Sequence, residues 1–336
     1  MLARWLKGIL IASIALLAVA VSALVVMNTP VDPTDPGRPF VISQGDSAFS
    51  IARKLDRQRF IRSAYYFLLL TTTGDRNKDI KAGRYEISGS MTTRAIVDHL
   101  VERAPLPRTY RITIPEGFTA AETASRFEQA GLCGADDFMR LVRNPSSYSI
   151  NTHGMDIENL EGYLFPETYF FDNRSTCASV VQRMVDQFFK LFNSRYVERS
   201  EDIGMTLNQV VTLASLVEKE ARIDSERKLI SGVLHNRLDK NMLLQVDATI
   251  QYALPKRKTR IYYKDLEIDS PYNTYKKPGL PPGPICSPGW NSIVAAMYPE
   301  ETQYYYYVAA GDGSHVFSRS NAEHIRAKQK VRSNNR

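Results

Sequence analysis

The chain has 336 residues, 43% hydrophobic and 24% charged, the balance of a globular protein with room for more than one domain. The net charge is +7, but the basic residues are scattered apart from Lys256-Arg257-Lys258 and a C-terminal tail bearing Lys and Arg. A dedicated nucleic-acid groove is therefore not expected, and an anionic envelope polymer or membrane surface is the better match for the excess charge.

In chain order, Gly8 to Met27 gives about 20 residues without a charge, enough to cross a bilayer as one helix. Arg4 and Lys7 precede this run and Asp32 and Asp35 follow it, an asymmetry that puts residues 1–7 in the cytoplasm and the body outside. Small residues at Ala20 and Ala23 would also suit signal cleavage. The apolar run exceeds the roughly 7–15 residues of a signal core, which favours a retained single-pass anchor. Residues 28–38, rich in Pro, Asp and Gly, read as a short extended linker.

A small αβ unit is expected over 39–105. Phe40-Val41-Ile42 is strand-like, Gln44-Gly45-Asp46-Ser47 makes a turn with a helix cap, and Ile51, Ala52 and Leu55 form a helical stripe. A second helix covers about Ser63 to Leu70, Gly83 to Ile87 returns as a strand, and Ala95, Ile96 and Leu100 mark a third helix. Over about residues 39–90 this pattern resembles a LysM domain, a β-α-α-β module that binds N-acetylglucosamine polymers.

Residues 106–336 are expected to be a mainly helical domain with a β element, making the whole an α+β protein. Tyr110 to Ile114 is a strand, and Thr119 with Glu122 fits a capping box. Gly117, Thr119, Ala124 and Phe127 match Gly45, Ser47, Ala52 and Leu55 in offset, so both segments read as strand, turn and capped helix. A helix spans about Ser179 to Phe192, and Thr206 with Gln209 caps the helix that carries Glu218. Another passes through Ile230, Val233, Leu234 and Leu238, capped by Asp224 or Ser225. Tyr304 to Val308, the turn Gly311-Asp312-Gly313-Ser314 and His315 to Phe317 give a hairpin, and the charged end from Lys328 to Arg336 is expected to fray. Cys133, Cys177 and Cys286 have no zinc spacing. Outside the cytoplasm Cys133 and Cys177 could pair; alternatively all three are buried thiols.

Chemistry points to Leu213-Ala214-Ser215-Leu216-Val217-Glu218-Lys219-Glu220-Ala221. An acid inside an apolar helical run suits a general-acid carboxyl, because partial burial favours the protonated form. At roughly 100° per residue, a buried stripe of Val210, Ala214, Val217 and Ala221 puts Glu218 on one shoulder and turns Glu220 to the opposite one. Gln245 and Asp247 could bind sugar hydroxyls or acetamido groups, or equally serve turn and cap chemistry. The proline-rich run from Ser270 to Gly289 supplies Tyr272, Asn273, Thr274, Tyr275, Leu280 and Pro281 as candidate substrate contacts. Glu161 and Glu167, in Glu161-Gly162-Tyr163-Leu164-Phe165-Pro166-Glu167-Thr168-Tyr169, read as fold-forming.

These long motifs, with Ile114-Pro115-Glu116-Gly117 and Leu244-Gln245-Val246-Asp247-Ala248-Thr249, resemble the YceG-like (MltG) endolytic murein transglycosylases over nearly the whole chain. The resemblance implies Glu218 as the catalytic residue, nascent peptidoglycan glycan strands as substrate, and a peptidoglycan synthase of the same membrane as partner. It implies 1,6-anhydro-N-acetylmuramic acid ends as product, with no metal or cofactor. Ala248 departs from it, since relatives commonly carry proline there. A hydrolytic muramidase, with Asp247 as second carboxylate, and a non-catalytic glycan-binding scaffold are the rival readings.

Overall fold

A computed structural model describes residues 2–73, 76–106 and 109–334. The chain separates into two units, Met1–Thr109 and Tyr110–Arg336.

The first unit contains α1 (Leu2–Asn28), β1 (Arg38–Ile42), α2 (Ala48–Arg57), α3 (Ala64–Thr72), β2 (Gly83–Ile87) and α4 (Thr93–Glu102). Strands β1 and β2 are antiparallel, with Phe40 opposite Tyr85. Their alternation turns Phe40, Ile42, Tyr85 and Ile87 inward against Ile51, Leu55, Phe67, Ile96 and Leu100. Ser47 caps α2 by accepting from the Ser50 N–H. Helix α1 is exposed from Trp5 to Val26 and is long and apolar enough to cross a membrane. The stretch expected to be a free linker is instead tied down. Val31 and Asp32 both donate to the Gly89 carbonyl at 3.0 Å, and Gly89 donates to the Asp35 carboxylate at 2.8 Å. Turn-forming Asp and Pro residues satisfy backbone groups locally, so this segment folds onto its unit rather than extending.

The second unit contains β3 (Thr109–Thr113), α5 (Ala120–Gln129), α6 (Ala135–Arg143), β4 (Thr168–Asp172), α7 (Cys177–Leu191), α8 (Ser194–Asp202) and α9 (Leu207–Glu220). It continues with α10 (Arg227–Asp239), α11 (Asp247–Ala253), α12 (Trp290–Met297), β5 (Tyr306–Ala309), β6 (His315–Ser318) and α13 (Asn321–Asn334). Strand β3 pairs with β4, and β5 with β6 as an antiparallel hairpin. Cys133 and Cys177 are joined by a disulfide between the α5–α6 loop and the start of α7, while Cys286 is a buried free thiol.

Helix α9 is the axis of this unit, packed by α8, α10, α11 and α12. Thr206 and Gln209 form its capping box, and Thr119 and Glu122 form that of α5. Every residue of α9 from Val210 to Val217 is buried, so the one-sided stripe expected from the sequence does not hold. The proline-rich loop closes over it, with Ile285 donating to the Ser215 hydroxyl at 3.0 Å. Gly162 fits beneath that loop at φ +88°, where a Cβ would lie 2.5 Å from Pro284. Two further expectations are corrected. Helix α10 begins at Arg227 after a 3-10 turn, so neither Asp224 nor Ser225 caps it; Asp224 accepts from the Arg227 side chain instead. Of the charged end, residues 328–334 continue helix α13, which packs on β5 and β6, although most of these residues are exposed; Asn335 and Arg336 lie outside the described residues.

Candidate active site

The last turn of α9 carries Glu218, Lys219 and Glu220, and the helical rotation of about 200° between the two acids sends them to different environments. The Glu218 side chain is 8% exposed. Its Oε2 accepts from the Arg227 guanidinium at 2.9 Å, the Ser292 hydroxyl at 2.7 Å and the Gly289 N–H at 3.1 Å. Arg227 also bonds Asp224 at 2.7 Å and lies 3.9 Å from Glu116. The Glu116 carboxyl packs so closely over Gly289 that a Cβ there would sit 2.1 Å from its Oε1. Although the Glu116 side chain is 53% exposed, partial desolvation of its carboxyl, followed by the neighbouring Glu218 charge, moves its pKa upward. Glu218 is thus the centre of an ion-pair lattice joining α9, α10, α12 and the loop after β3.

Glu220 faces a polar cleft of about 540 Å³, lined also by Gln245, Asp247, Tyr275, Tyr307, His315 and Arg237. Burial is the main cause that raises its carboxyl pKa, and the Asp247 charge adds to it; the Tyr307 hydroxyl, His315 and Arg237 pull the other way. Each wall is fixed. The Tyr275 hydroxyl donates to Asp247 Oδ1. His315 is held through its backbone N–H at 3.0 Å and its Nδ1 at 2.7 Å to the Glu226 carboxylate, so it does more than end the hairpin. Arg237 donates to the carbonyls of Tyr305 at 2.6 Å and Leu244 at 2.7 Å. Gln245 has φ +52°, a left-handed conformation uncommon for a non-glycine residue, secured by its N–H to the Thr274 carbonyl at 3.1 Å. Ala248 follows Asp247 in the first turn of α11, where a proline's missing N–H would cost little, so alanine here leaves the local backbone unchanged.

The predicted site residues divide accordingly. Gln245, Asp247 and Tyr275 meet in one cleft, but with Glu220 and not with Glu218. The expectation that Glu220 turns away from the site is therefore corrected: with α9 buried all round, a shoulder position on the wheel says nothing about solvent. Asn273 and Thr274 are buried. Asn273 donates to the Leu266 and Ile268 carbonyls, and Thr274 accepts from the Val246 N–H, so their polar groups serve the loop itself. Tyr272 lines a different cavity with Glu161, Tyr163 and Asn208. Leu280 packs on the core and Pro281 is buried. Tyr307, Arg237 and Arg227 were not singled out by sequence reasoning, and Glu220 was weighed only as turned away. Glu220 lay inside the very motif that was singled out, and Tyr307 inside a conspicuous tyrosine run. Among the described residues, no three His, Cys, Asp or Glu side chains gather closely enough to hold a metal ion.

The fold and cleft define an α+β protein with one desolvated carboxyl in a polar, aromatic-edged groove, a site of the general-acid kind. The YceG-like family model matches residues 40–330, and the chain belongs to that family. A relative from Bacillus subtilis (strain 168), named endolytic murein transglycosylase, is 34% identical over 306 residues, covering 86% of this chain and 83% of its own. A relative of the same name from Streptococcus pneumoniae serotype 2 (strain D39 / NCTC 7466) is 30% identical over 322 residues; the match covers 85% of this chain but only 58% of that longer protein. The crystal structure of a yceG-like protein from Listeria monocytogenes superposes with a TM-score of 0.58 at 33% identity, covering 87% of this chain and 99% of that one.

Proposed function

We propose that this protein is a membrane-anchored endolytic murein transglycosylase that cuts glycan strands between N-acetylmuramic acid and N-acetylglucosamine. Membership of the YceG-like family and relatives bearing that name support the activity. The observation that carries the site is the half-buried, partly desolvated carboxyl of Glu220 facing Gln245, Asp247 and Tyr275 across one cleft.

The resemblance pointed to Glu218, but the surroundings of Glu220 suit the chemistry better. A general acid must hold its proton until the leaving oxygen takes it, and burial favours that at Glu220. Glu218 Oε2, by contrast, is engaged by an arginine, a hydroxyl and a backbone N–H. In the proposed reaction Glu220 gives its proton to the oxygen leaving carbon 1 of the muramic acid. The carboxylate so formed takes the proton of the sugar's own 6-hydroxyl, whose oxygen bonds to carbon 1. The product is a 1,6-anhydro end, and no water is consumed. Asp247, held by Tyr275, positions substrate and adds negative charge opposite the developing cation. A retaining hydrolase would instead need a second carboxylate as nucleophile.

Mass spectrometry of products from purified strands tests this reading, since a hydrolysed end is heavier than an anhydro end by one water. Glu220→Gln, folded by circular dichroism, should lose at least the roughly 10²–10⁴-fold that acid–base help supplies. Glu218→Gln should retain cleavage once any loss of stability is allowed for. The reverse pattern would return the acid to Glu218, and hydrolysed ends would replace the lytic mechanism.

The first unit is proposed as a LysM-like glycan-binding module over 39–105, supported by its β-α-α-β order around an antiparallel pair. The single apolar helix supports an anchor in the cytoplasmic membrane, with residues 1–7 inside, 8–27 spanning and the catalytic unit outside. A peptidoglycan synthase in that membrane is the partner the resemblance implies.

A further inference from the structure

Beside the Glu220 cleft lies a second cavity of about 490 Å³, within the size range of small-ligand sites. The two adjoin: Lys219 lines both, and the consecutive residues Asp247 and Ala248 line one each. The walls of the second cavity differ in kind. Met139, Val142, Leu254 and Ile285 give it an apolar side, and Arg143, Lys219 and Arg257 give it three cations.

Its two acids are already engaged. Glu122 accepts from Arg257 at 3.2 Å and from the Thr119 N–H at 2.9 Å. Glu161 accepts from the Ala120 N–H at 2.9 Å and the Tyr252 hydroxyl at 3.3 Å. Burial also pushes the Glu161 carboxyl up to about 7, so it carries only part of a negative charge near neutrality. Arg143 is exposed and has no hydrogen-bond or ion-pair partner among the described residues. Lys219 donates to the Gly117 carbonyl and forms no ion pair with a carboxylate among the described residues. The cavity is therefore net positive, with greasy walls. A saccharide asks for stacking faces and many free neutral hydrogen-bond partners; among the described residues Tyr252 is the one aromatic ring lining this space, and the side-chain oxygens of Thr119, Asn159 and Gln251 already accept from the N–H groups of Glu122, Glu161 and Lys258. A short peptide with free carboxylates asks for what is there.

We infer that this cavity is a subsite for the anionic peptide side chain carried by the muramic acid residue being processed, or by its neighbour on the strand. The inference rests on the reading of the adjoining cleft as a glycan-cleaving site. Arg143 pairs with a peptide carboxylate, Met139, Val142 and Leu254 cover the aliphatic stem, and Lys219 marks the junction with the cleft. The protein then prefers strands that bear peptides to strands stripped of them.

The test compares kcat/KM of the full chain in detergent on peptide-bearing strands and on strands stripped by an amidase. Calorimetry with a free anionic tripeptide of the peptidoglycan type runs in parallel. The wild type should favour the peptide-bearing strands. Arg143→Glu should lower that ratio about tenfold and weaken tripeptide binding by a similar factor. Arg140→Glu, one turn away on α6 and outside the cavity, should move neither. A ratio unchanged by Arg143→Glu, or tripeptide binding equal in both proteins, overturns the subsite. If the wild type cleaves neither substrate, the transglycosylase reading fails; tripeptide binding lost in Arg143→Glu would still support an anionic-peptide site, and no binding to the wild type would sink it.

Discussion

Lys219 separates two carboxyls in different surroundings, one in the Arg227 lattice and one facing the polar cleft. Glu218 holds a lattice together, so Glu218→Gln should lower stability by about 1–3 kcal/mol, the usual cost of weakening a charged hydrogen bond in a part-buried site, read from urea unfolding. A wild-type midpoint would show that the Arg227 contact contributes nothing. Glu161 gives the clearest dependence on pH. Its ordinary value of 4.5 rises to about 7 because the carboxyl is buried. The folded state therefore binds more protons than the unfolded one between these values, so stability is present below the unfolded pKa and declines as pH rises through the folded one. The whole change is about 3 kcal/mol at most. Unfolding free energies between pH 5 and pH 8 should fall with pH in the wild type, and Glu161→Gln should flatten part of that slope. Glu220 acts in the same direction, since burial raises its pKa as well.

Local signals were legible at the level of elements. The capping boxes at Thr119 and Thr206 and the Ser47 cap each need only three or four neighbouring residues, and the structure has all three. The tyrosine-rich hairpin was legible from its two β-prone runs and the Gly-Asp-Gly-Ser turn between them. What the sequence hid depends on distant partners. The Arg227 lattice joins residues 116, 218, 227 and 292, which no periodicity connects. Asn273 and Thr274 look like ligand contacts until their donors and acceptors are found spent on the loop. The last helix looked like a frayed tail because charge alone does not show what it packs on. Thr206→Ala should cost about 1 kcal/mol through the lost cap, seen as a lower Tm. Gly162→Ala should cost more than the cap, because it combines φ +88° with a Cβ 2.5 Å from Pro284. If the alanine variant melts with the wild type, the close packing of the proline loop over α9 is not needed for stability.

At the scale of the whole molecule, the disulfide and the apolar helix point to the same compartment. A disulfide across 44 residues persists in an oxidising space, outside the cytoplasm in most bacteria. Replacing both Cys133 and Cys177 by serine should cost about 2–4 kcal/mol by freeing that loop in the unfolded chain. Helix α1 is the proposed tether, and its end is fastened to the first unit. Thr93 donates to the Met27 carbonyl at 3.0 Å, and the Arg94 N–H donates to Asn28 at 2.9 Å. The first unit is thus joined to the apolar helix with little slack, and under the proposed anchoring this holds it near the membrane and raises its effective concentration on strands there. A chain begun at Pro30 keeps the Val31 and Asp32 bonds to Gly89 while losing the apolar helix. It should be soluble, keep its cleavage chemistry on isolated strands, and lose selectivity for newly made strands in membranes. N-terminal sequencing of the mature native protein tests the tether directly, because a start just after Ala20 or Ala23 would mean the helix is removed and the anchored reading must be dropped.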